Sequence, residues 1–335
     1  MIAEPVLLEI DTVVPYLRER NRVYSPDATA RQLGGGVSNV VLAIDGPSPL
    51  VVKQSLPRLR VEASWSAPQD RILTEAEALT LCASMTPARA PRVLDVDPDR
   101  FVLCIERAPD DWTDWKTALM SGSVEAGVGL ELGRTLGAWH AGTTSGEGIT
   151  SRMSDPTAFE ALRIDPYFRT LASVMPSIGP EVERVISRLS SRRRCLVHGD
   201  FSPKNVLVSP DATSILVIDF EVAHLGDPEF DLAFLLSHLT LKAIHLAAEA
   251  ERIDALSGAF LDAYVGAVPD DLHPDCAWLL RHVGALLLAR VHGKSPAEYL
   301  SDAERGHAES LGTALLRGQG DSLSSLSALR RKTRP

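Results

Sequence analysis

The spacing of hydrophobic residues changes near residue 107 of this chain, and that change limits the folds it can adopt. Before residue 107, a helical stretch at residues 7–20 comes first, and short runs of β-branched residues around glycine clusters follow it. A second helical stretch, residues 71–85, lies between these runs. This pattern is typical of a small sheet with an inserted helix. After it, helical spacing dominates. The segments expected to form helices are residues 123–145, 157–174, 180–191, 230–266 in pieces, and 274–292.

Chain length supports a division into two lobes. With 335 residues the chain is too long for one small core. The pattern predicts an α+β fold with a small β-rich N-terminal lobe, residues 1–107, and a larger, mostly helical lobe, residues 108–320. Residues 321–335 contain few large apolar side chains and are expected to form a flexible tail.

Composition excludes several classes of function. The formal net charge is −10, with 34 basic against 44 acidic residues, which disfavours nucleic-acid binding because such binding depends on neutralising phosphates. No apolar run approaches the roughly 20 residues of a membrane span, and the N-terminus has the pattern of a helix and not of a signal peptide. The four cysteines are widely separated, as in a reducing compartment. A cytoplasmic protein without a membrane segment is expected.

A glycine-rich segment, "LGGGVSNVV", lies between two predicted strands. Gly34, Gly35 and Gly36 would let backbone N–H groups approach an anion closely, and Ser38 and Asn39 would add donors. A plain hairpin turn explains the glycines equally well. The segment is not a Walker A loop, because no Gly-Lys-Ser/Thr follows and the next element is a strand.

Lys53 lies within the apolar strand "LVVKQ". An ammonium group there is costly unless it is paired or lies at the edge of a site. The following helix offers Glu75 and Glu77 as partners, and the spacing does not choose between them. A strand lysine paired with a helix glutamate is how protein kinases hold the α- and β-phosphates of ATP.

Polar residues follow two short apolar runs in the second half of the chain. "CLVHGDFSPKNVLV" contains Asp200 and Asn205, and "SILVIDFE" ends in Asp219 and Glu221. Asn205, Asp219 and Glu221 carry the hard oxygen ligands that Mg²⁺ prefers. Asp200 is then free to accept a hydrogen bond from an attacking hydroxyl. The alternative, a set of turn-forming residues, does not explain the order of glycine loop, strand lysine and two acid-terminated strands.

Two neighbouring residues are given structural roles. His198 precedes Asp200 by two residues and is expected to pack beneath the loop and to hydrogen-bond with the backbone. Asp231, in "PEFDLAF", is expected to be buried at a helix start and to accept N–H bonds from the loop that contains Asp200.

The order of these motifs resembles the aminoglycoside phosphotransferase and choline kinase superfamily. "HGDFSPKNVLV" is similar to its H-G-D-x-x-x-x-N catalytic loop, and "VIDFEVAHLGDPEFDLA" to its metal-binding segment. The resemblance covers roughly residues 30–300 and implies a two-lobed protein-kinase-like fold with ATP and Mg²⁺ as cofactors. It also favours Glu77 over Glu75 as the partner of Lys53, and it places the adenine near the backbone of Glu106 and Arg107.

Within that superfamily, two stretches are most similar to 5-methylthioribose kinases. They are "VVKQSLPRLRVEASWSAPQDRILTEAEAL" and the segment that follows Asp219. The loop sequence after H-G-D, which includes Asn205, departs from that pattern. The resemblance therefore implies an ATP- and Mg²⁺-dependent kinase for a small-molecule hydroxyl substrate, a sugar or sugar-like alcohol, without fixing methylthioribose.

Other functions stay open at this point. An aminoglycoside or a choline- or ethanolamine-type acceptor is the first alternative, and the acidic net charge favours such cations. A nucleotide-binding pseudokinase regulator is the second. A metal-dependent hydrolase lacks a second histidine ligand at usable spacing. The residues that face the acceptor are left open among Arg163, Arg281, Arg290 and Trp112, and the sequence is compatible with a homodimer.

Overall fold

A five-stranded antiparallel sheet forms the N-terminal part of the protein in a computed structural model. The structure describes residues 6–34, 38–58 and 67–334. The strands are arranged in the order β1-β2-β3-β5-β4, and β2 and β3 form the hairpin that follows the glycine-rich segment. The strands are β1 (Thr29–Gln32), β2 (Asn39–Asp45), β3 (Leu50–Ser55), β4 (Val93–Asp97) and β5 (Val102–Glu106).

Both faces of this sheet are covered, because its central strands are apolar on both sides. Leu50 and Val52 of β3 pack with helix α1 (Ile10–Glu19). Val51 packs on the opposite face, with helix α2 (Arg71–Met85). Side chains two residues apart in a strand share a face. Lys53 therefore lies on the α2 side with Val51.

The rest of the chain is mostly helical and carries two small sheets. One pairs β7 with β10, and the other has the order β6-β8-β9. These strands are β6 (Thr113–Asp114), β7 (Cys195–Val197), β8 (Val206–Val208), β9 (Ile215–Val217) and β10 (His224–Gly226). The helices are α3 (Trp115–Met120), α4 (Ala126–Gly142), α5 (Thr157–Phe159), a π-helix (Glu160–Arg169), α6 (Thr170–Val174), α7 (Gly179–Ser191), α8 (Glu229–His245), α9 (Ala250–Val265), α10 (Cys276–His292), α11 (Asp302–Leu316) and α12 (Leu323–Lys332), with short 3-10 turns at Pro176–Ile178, Pro203–Asn205, Ala247–Glu249 and Asp270–Leu272.

Helices α4 and α9 approach each other closely. Gly133 on α4 faces the α9 backbone, and a Cβ atom there would lie 2.2 Å from the carbonyl oxygen of Phe260. A glycine at this position therefore sets the distance between the two helices, since any side chain would push them apart. None of the described helices is by itself long and apolar enough to cross a membrane, although the bent pair Glu229–His245 and Ala247–Val265 together meets those criteria.

The end of the chain differs from the prediction of a flexible tail over residues 321–335. Residues Leu323–Lys332 form helix α12, which begins with a capping box between Ser322 and Ser325. Leu326 and Arg330 are buried one turn apart, and Arg330 forms an ion pair with Asp254 of α9 at 2.7 Å. The sequence pattern did not indicate this helix, because it is held by one buried leucine, an ion pair of the buried Arg330 and a cap.

Candidate active site

Three predicted site residues meet where short strands of the helical lobe end. Asp200 follows β7, Asn205 precedes β8 and Asp219 follows β9. The Ile218 amide donates to the carbonyl oxygen of Asn205 at 2.9 Å. The Asn205 side-chain amide donates to the carbonyl oxygen of Asp200 at 3.0 Å. These two hydrogen bonds hold the two acid-bearing loops side by side.

The Asp200 carboxylate is buried between two cations. Its Oδ2 lies 2.9 Å from Arg163 Nη2 and 3.0 Å from Lys204 Nζ. Burial would raise the pKa of Asp200, but Arg163 and Lys204 hold that pKa below its usual value. Asp200 is therefore ionised at neutral pH and is able to accept a hydrogen bond.

The π-helix brings Arg163 to this carboxylate. Such helices are rare, and they occur frequently at functional sites. Arg163 Nε donates to the carbonyl oxygen of Gly199 at 2.7 Å, and its guanidinium lies over the rings of Tyr167 and Phe234 at 5.9 Å and 5.6 Å. These contacts fix Arg163 beside the loop that contains Asp200.

The loop itself is held from below by Asp231, at the start of α8. The Asp231 carboxylate accepts from the amides of His198 at 2.7 Å and Gly199 at 2.9 Å. Gly199 has φ +77°, and a Cβ atom there would lie 2.7 Å from the carbonyl oxygen of Val222, so the turn requires glycine. The role expected for Asp231 is confirmed.

His198 has the structural role that the sequence favoured. Its Nδ1 accepts from the Asp200 amide at 3.1 Å, and its Nε2 donates to the carbonyl oxygen of Ile218 at 3.1 Å. Burial lowers its pKa. The ring is therefore a neutral spacer between the two acid-bearing loops.

Lys53 joins the N-terminal sheet to the second acid. Its Nζ lies 2.7 Å from Asp219 Oδ1 and 2.6 Å from Glu75 Oε1. Although burial opposes its charge, Asp219 and Glu75 hold the pKa of Lys53 above its usual value. Asp219 itself has φ +73°, a conformation that non-glycine residues rarely adopt and that is concentrated at functional sites.

The choice of Glu77 as the partner of Lys53 was wrong. Glu77 lies near the surface, where it accepts from Thr150 Oγ1 at 2.5 Å and pairs with Arg152 at 3.2 Å. Residues two apart in an α-helix differ by roughly 200° in direction, so only one of the two glutamates can face β3. Glu75 shares the buried face with Ile72 and Leu79, and that apolar face is the sequence signal that identifies it.

Glu221 is tied to the N-terminal lobe by a hydrogen-bond network. Its Oε2 accepts from Asn39 Nδ2 at 3.0 Å and from Arg71 Nε at 3.0 Å. Arg71 is buried and also donates to the carbonyl oxygens of Ser38 and Leu56. The side chain of Asn39 is therefore used within the protein, and Arg71 connects the ends of the β2–β3 hairpin to the segment after β9.

The remaining residues predicted to bind the nucleotide belong to the first 107 residues of the chain. A Cβ atom added at Gly34 would have no neighbouring atom within 4 Å, and Ser38 is buried. Gly35 and Gly36 lie outside the described residues. The Glu106 amide donates to the Arg92 carbonyl oxygen at 2.9 Å. The Arg107 guanidinium binds Asp45 and Asp110. Both residues lie at the end of β5, where the chain passes into the helical lobe.

The chemistry of the donor set fits a hard divalent cation. The described residues contain no group of three or more His, Cys, Asp or Glu side chains arranged to hold a metal. The predicted ligands Asn205, Asp219 and Glu221 are one amide and two carboxylates, so they do not form such a group. Phosphate oxygens and waters normally complete the coordination of Mg²⁺ in a site of this kind. Asn205 Nδ2 is already used by the Asp200 carbonyl, which leaves its side-chain oxygen for a ligand.

Three residues of the site had no role that the sequence predicted. Arg163 was one of four open candidates, and Lys204 and Arg71 had no assigned function. Lys204 had a usable signal, because it follows Asp200 by four residues within the same loop. Arg71 and Arg163 had none, since each reaches the site only through tertiary packing.

The fold and the site define a two-lobed, kinase-like protein, and three comparisons agree with that class. A choline/ethanolamine kinase family protein from Mesorhizobium loti has TM-score 0.58 and 17% identity, over 96% of this chain and 99% of that one. An amicoumacin kinase in complex with AMP-PNP, Ca²⁺ and Ami has TM-score 0.52 and 15% identity, over 96% and 92% of the two chains. Methylthioribose kinase 2 of Oryza sativa subsp. japonica is 24% identical over 243 residues, 64% of this chain.

Residues 29–274 match the model of the phosphotransferase enzyme family known as APH. The chain belongs to that family, and the predicted family and α+β protein-kinase-like fold are confirmed. The match spans only 56% of the length of the rice methylthioribose kinase.

Proposed function

We propose that this protein is an ATP-dependent kinase that transfers the γ-phosphoryl group to a hydroxyl group of a small molecule. The observation that carries the proposal is the ionised Asp200 carboxylate beside the Lys53–Asp219 ion pair. Lys204 acts electrostatically on both Asp200 and Asp219, so the two carboxylates lie within one small charged site. A base for a hydroxyl and cationic contacts for phosphates are thus combined at the junction of the lobes.

Asp200 would accept the hydrogen bond of the acceptor hydroxyl and then its proton. Because phosphoryl transfer proceeds through a loose transition state, orientation of that hydroxyl matters more than strong basicity. A carboxylate with a lowered pKa suits this role, since it stays ionised and in place. Arg163 is a positioning residue here, because it pairs with the Asp200 carboxylate and donates to the Gly199 carbonyl oxygen of the same loop.

The N-terminal lobe would bind the nucleotide. Lys53 would contact its phosphates, and the hairpin with Gly34, Ser38 and Asn39, together with Gly35 and Gly36, would cover them. The backbone near Glu106 and Arg107 would face the adenine. Asn205, Asp219 and Glu221 would hold Mg²⁺, which when bound neutralises phosphate charge. The amicoumacin kinase complex with AMP-PNP and Ca²⁺ supports ATP and a divalent cation as cofactors.

The proposed acceptor is a sugar or sugar-like alcohol. Similarity to the rice methylthioribose kinase supports that class. The fold similarity to the choline/ethanolamine kinase family protein keeps amino alcohols and aminoglycosides as the alternative class. We also propose that the protein is cytoplasmic and acts without nucleic acid or a membrane. A homodimer is compatible with the sequence and is proposed as well.

A coupled ADP-release assay with Mg-ATP tests the proposal against methylthioribose, pentoses, choline, ethanolamine and several aminoglycosides. We expect ADP release that depends on the acceptor and is lost in Asp200→Ala. Nucleotide binding without release for any acceptor would instead favour the pseudokinase alternative. Equal release by Asp200→Ala would contradict the proposed base.

The two glutamates of α2 give a matched pair of variants, because Glu75 pairs with Lys53 and Glu77 contacts Thr150 and Arg152 instead. Glu75→Gln removes a charge-assisted hydrogen bond of about 1.5–3 kcal/mol, so kcat is expected to fall roughly ten- to hundredfold. Glu77→Gln changes the neighbouring acid on the other face of the same helix, and its kcat should stay within about twofold of wild type. Steady-state kinetics of both variants decide the assignment. The assignment of Glu75 as the partner of Lys53 is wrong if Glu77→Gln has the lower kcat.

A further inference from the structure

An uncompensated ammonium group lies inside the helical lobe. Lys242 on α8 is 1% exposed, and within residues 6–34, 38–58 and 67–334 its ammonium group has neither a hydrogen bond nor an ion pair. Its Nζ lies 5.7 Å from the centre of the Tyr299 ring. A buried charge without a partner is costly, so its presence requires an explanation.

The charged groups around Lys242 are mostly of the same sign. Burial, and after it Lys116 of α3 and Arg290 of α10, lower the pKa of Lys242 to about 7, while Asp114 of β6 opposes them. His238, one turn earlier on α8, has a pKa well below its usual value because of burial and then Arg290, Lys242, Lys204 and Lys116. The local potential is therefore positive in a protein whose net charge is −10.

Two further polar atoms in this region lack partners. Among the described residues, Arg290 Nε and Tyr299 Oη are buried and make no hydrogen bond. The other end of the Arg290 guanidinium donates to Ser295 Oγ at 2.7 Å, so the group is held in place. The Lys242 ammonium group, Arg290 Nε and Tyr299 Oη are therefore donors for which the described residues supply no acceptor. We name these three residues with Lys116 the cationic cluster.

Helix α8 connects the cationic cluster to Asp200. Asp231, Phe234, His238 and Lys242 follow one another at spacings of three and four residues, which places them on one face of the helix. The Phe234 ring lies 5.6 Å from the Arg163 guanidinium and 5.1 Å from the His238 ring. From Phe234 to Lys242 the helix rises about 12 Å, the length of a small molecule. Lys116 is exposed, and so is about half of the Lys204 side chain.

The geometry points to the cationic cluster as an acceptor subsite for the anionic group of a hydroxylated acid, a carboxylate or a phosphate. This inference rests on the proposed function and deepens it. An anion at the cluster would accept the unused hydrogen bonds of Lys242 and Arg290, while a hydroxyl of the same molecule reaches Asp200. A cationic acceptor would be repelled by the same groups, and a neutral one would leave them uncompensated.

Calorimetric binding in the presence of Mg–AMP-PNP tests this subsite. The probes share a pentose skeleton and are ribonate, ribose 5-phosphate and uncharged ribose, with choline as the cation. We expect at least one anion to bind tenfold or more tightly than ribose, and the better of the two identifies carboxylate or phosphate. The inference is overturned if neither anion binds, or if ribose or choline binds as tightly as they do.

Variants separate the subsite from general charge effects. Lys242→Met, close in shape and uncharged, should weaken binding of the preferred anion at least tenfold. Lys116→Ala, at an exposed position where folding is not at risk, should weaken it a few-fold. Lys332→Met, an exposed lysine at the end of α12, is the matched control and should have no effect. Unchanged anion binding in both Lys242→Met and Lys116→Ala would refute the subsite.

ADP release from Mg-ATP with the same four compounds keeps the two proposals distinguishable. Anion binding without ADP release would contradict the kinase and leave the subsite standing. ADP release with ribose or choline, but with neither anion, would leave the kinase standing and overturn the subsite.

Discussion

Asp200→Asn should lower kcat by about 10²–10⁴-fold, the usual contribution of a positioned acid or base, with little change in the Kd for nucleotide. The amide keeps the shape of the side chain but cannot take the proton of the acceptor hydroxyl. The proposed nucleotide contacts lie on Lys53 and the N-terminal lobe, which the substitution does not touch. Coupled ADP release gives kcat, and calorimetry with AMP-PNP gives the Kd.

The matched control for this variant is Asp270→Asn. The Asp270 side chain is fully exposed, and its substitution should leave kcat unchanged. A kcat for Asp200→Asn within tenfold of wild type would refute the assignment of Asp200 as base. Because Arg163 and Lys204 keep the pKa of Asp200 below its usual value, protonation of Asp200 should reduce kcat/KM only below about pH 4.

The second large effect is expected on stability, from Asp231→Ala. The substitution leaves the amides of His198 and Gly199 without their acceptor and removes one of the partners of the His140 ring, 3.3 Å away. Asp231 is fully buried. Loss of one member of such a buried charged network costs about 3–5 kcal/mol, and we expect that fall in the free energy of unfolding by urea denaturation.

Asp262→Ala, at an exposed position of α9, is the control and should cost less than about 0.5 kcal/mol. A loss below about 1 kcal/mol for Asp231→Ala would show that the loop is held by other contacts. Burial would raise the pKa of Asp231, but His140 keeps it below its usual value. Its stabilising contribution is therefore present above the unfolded-state pKa of about 3.9 and is lost as the pH falls through the lower folded-state pKa.

The sequence predicted the parts of the site that depend on local order along the chain. Asp200, Asn205 and Asp219 follow or precede short buried strands, so their positions at strand ends were visible in the pattern. Asp231 was identified in the same way, from an acid at the start of an apolar helix. Such residues are fixed by the element that they border.

Rotation of a helix about its axis was harder to predict. Glu75 and Glu77 are equivalent in sequence distance from Lys53, and the packing of Ile72 and Leu79 against the sheet decides which one faces it. Arg71 and Arg163 show the same limit. Their partners Glu221 and Asp200 are 150 and 37 residues away along the chain, and no local pattern encodes such contacts.

The distribution of charge shows most clearly what the sequence decides and what the tertiary structure decides. The sequence alone determined the two-lobed fold, the family and a net charge of −10, and that sum favoured a cationic acceptor. Only the tertiary structure placed Lys116, Lys242 and Arg290 together beside few acids. Net charge is a sum that ignores position, whereas the potential at a site falls with distance and depends on burial. Folding therefore produces a positive interior region in an acidic protein.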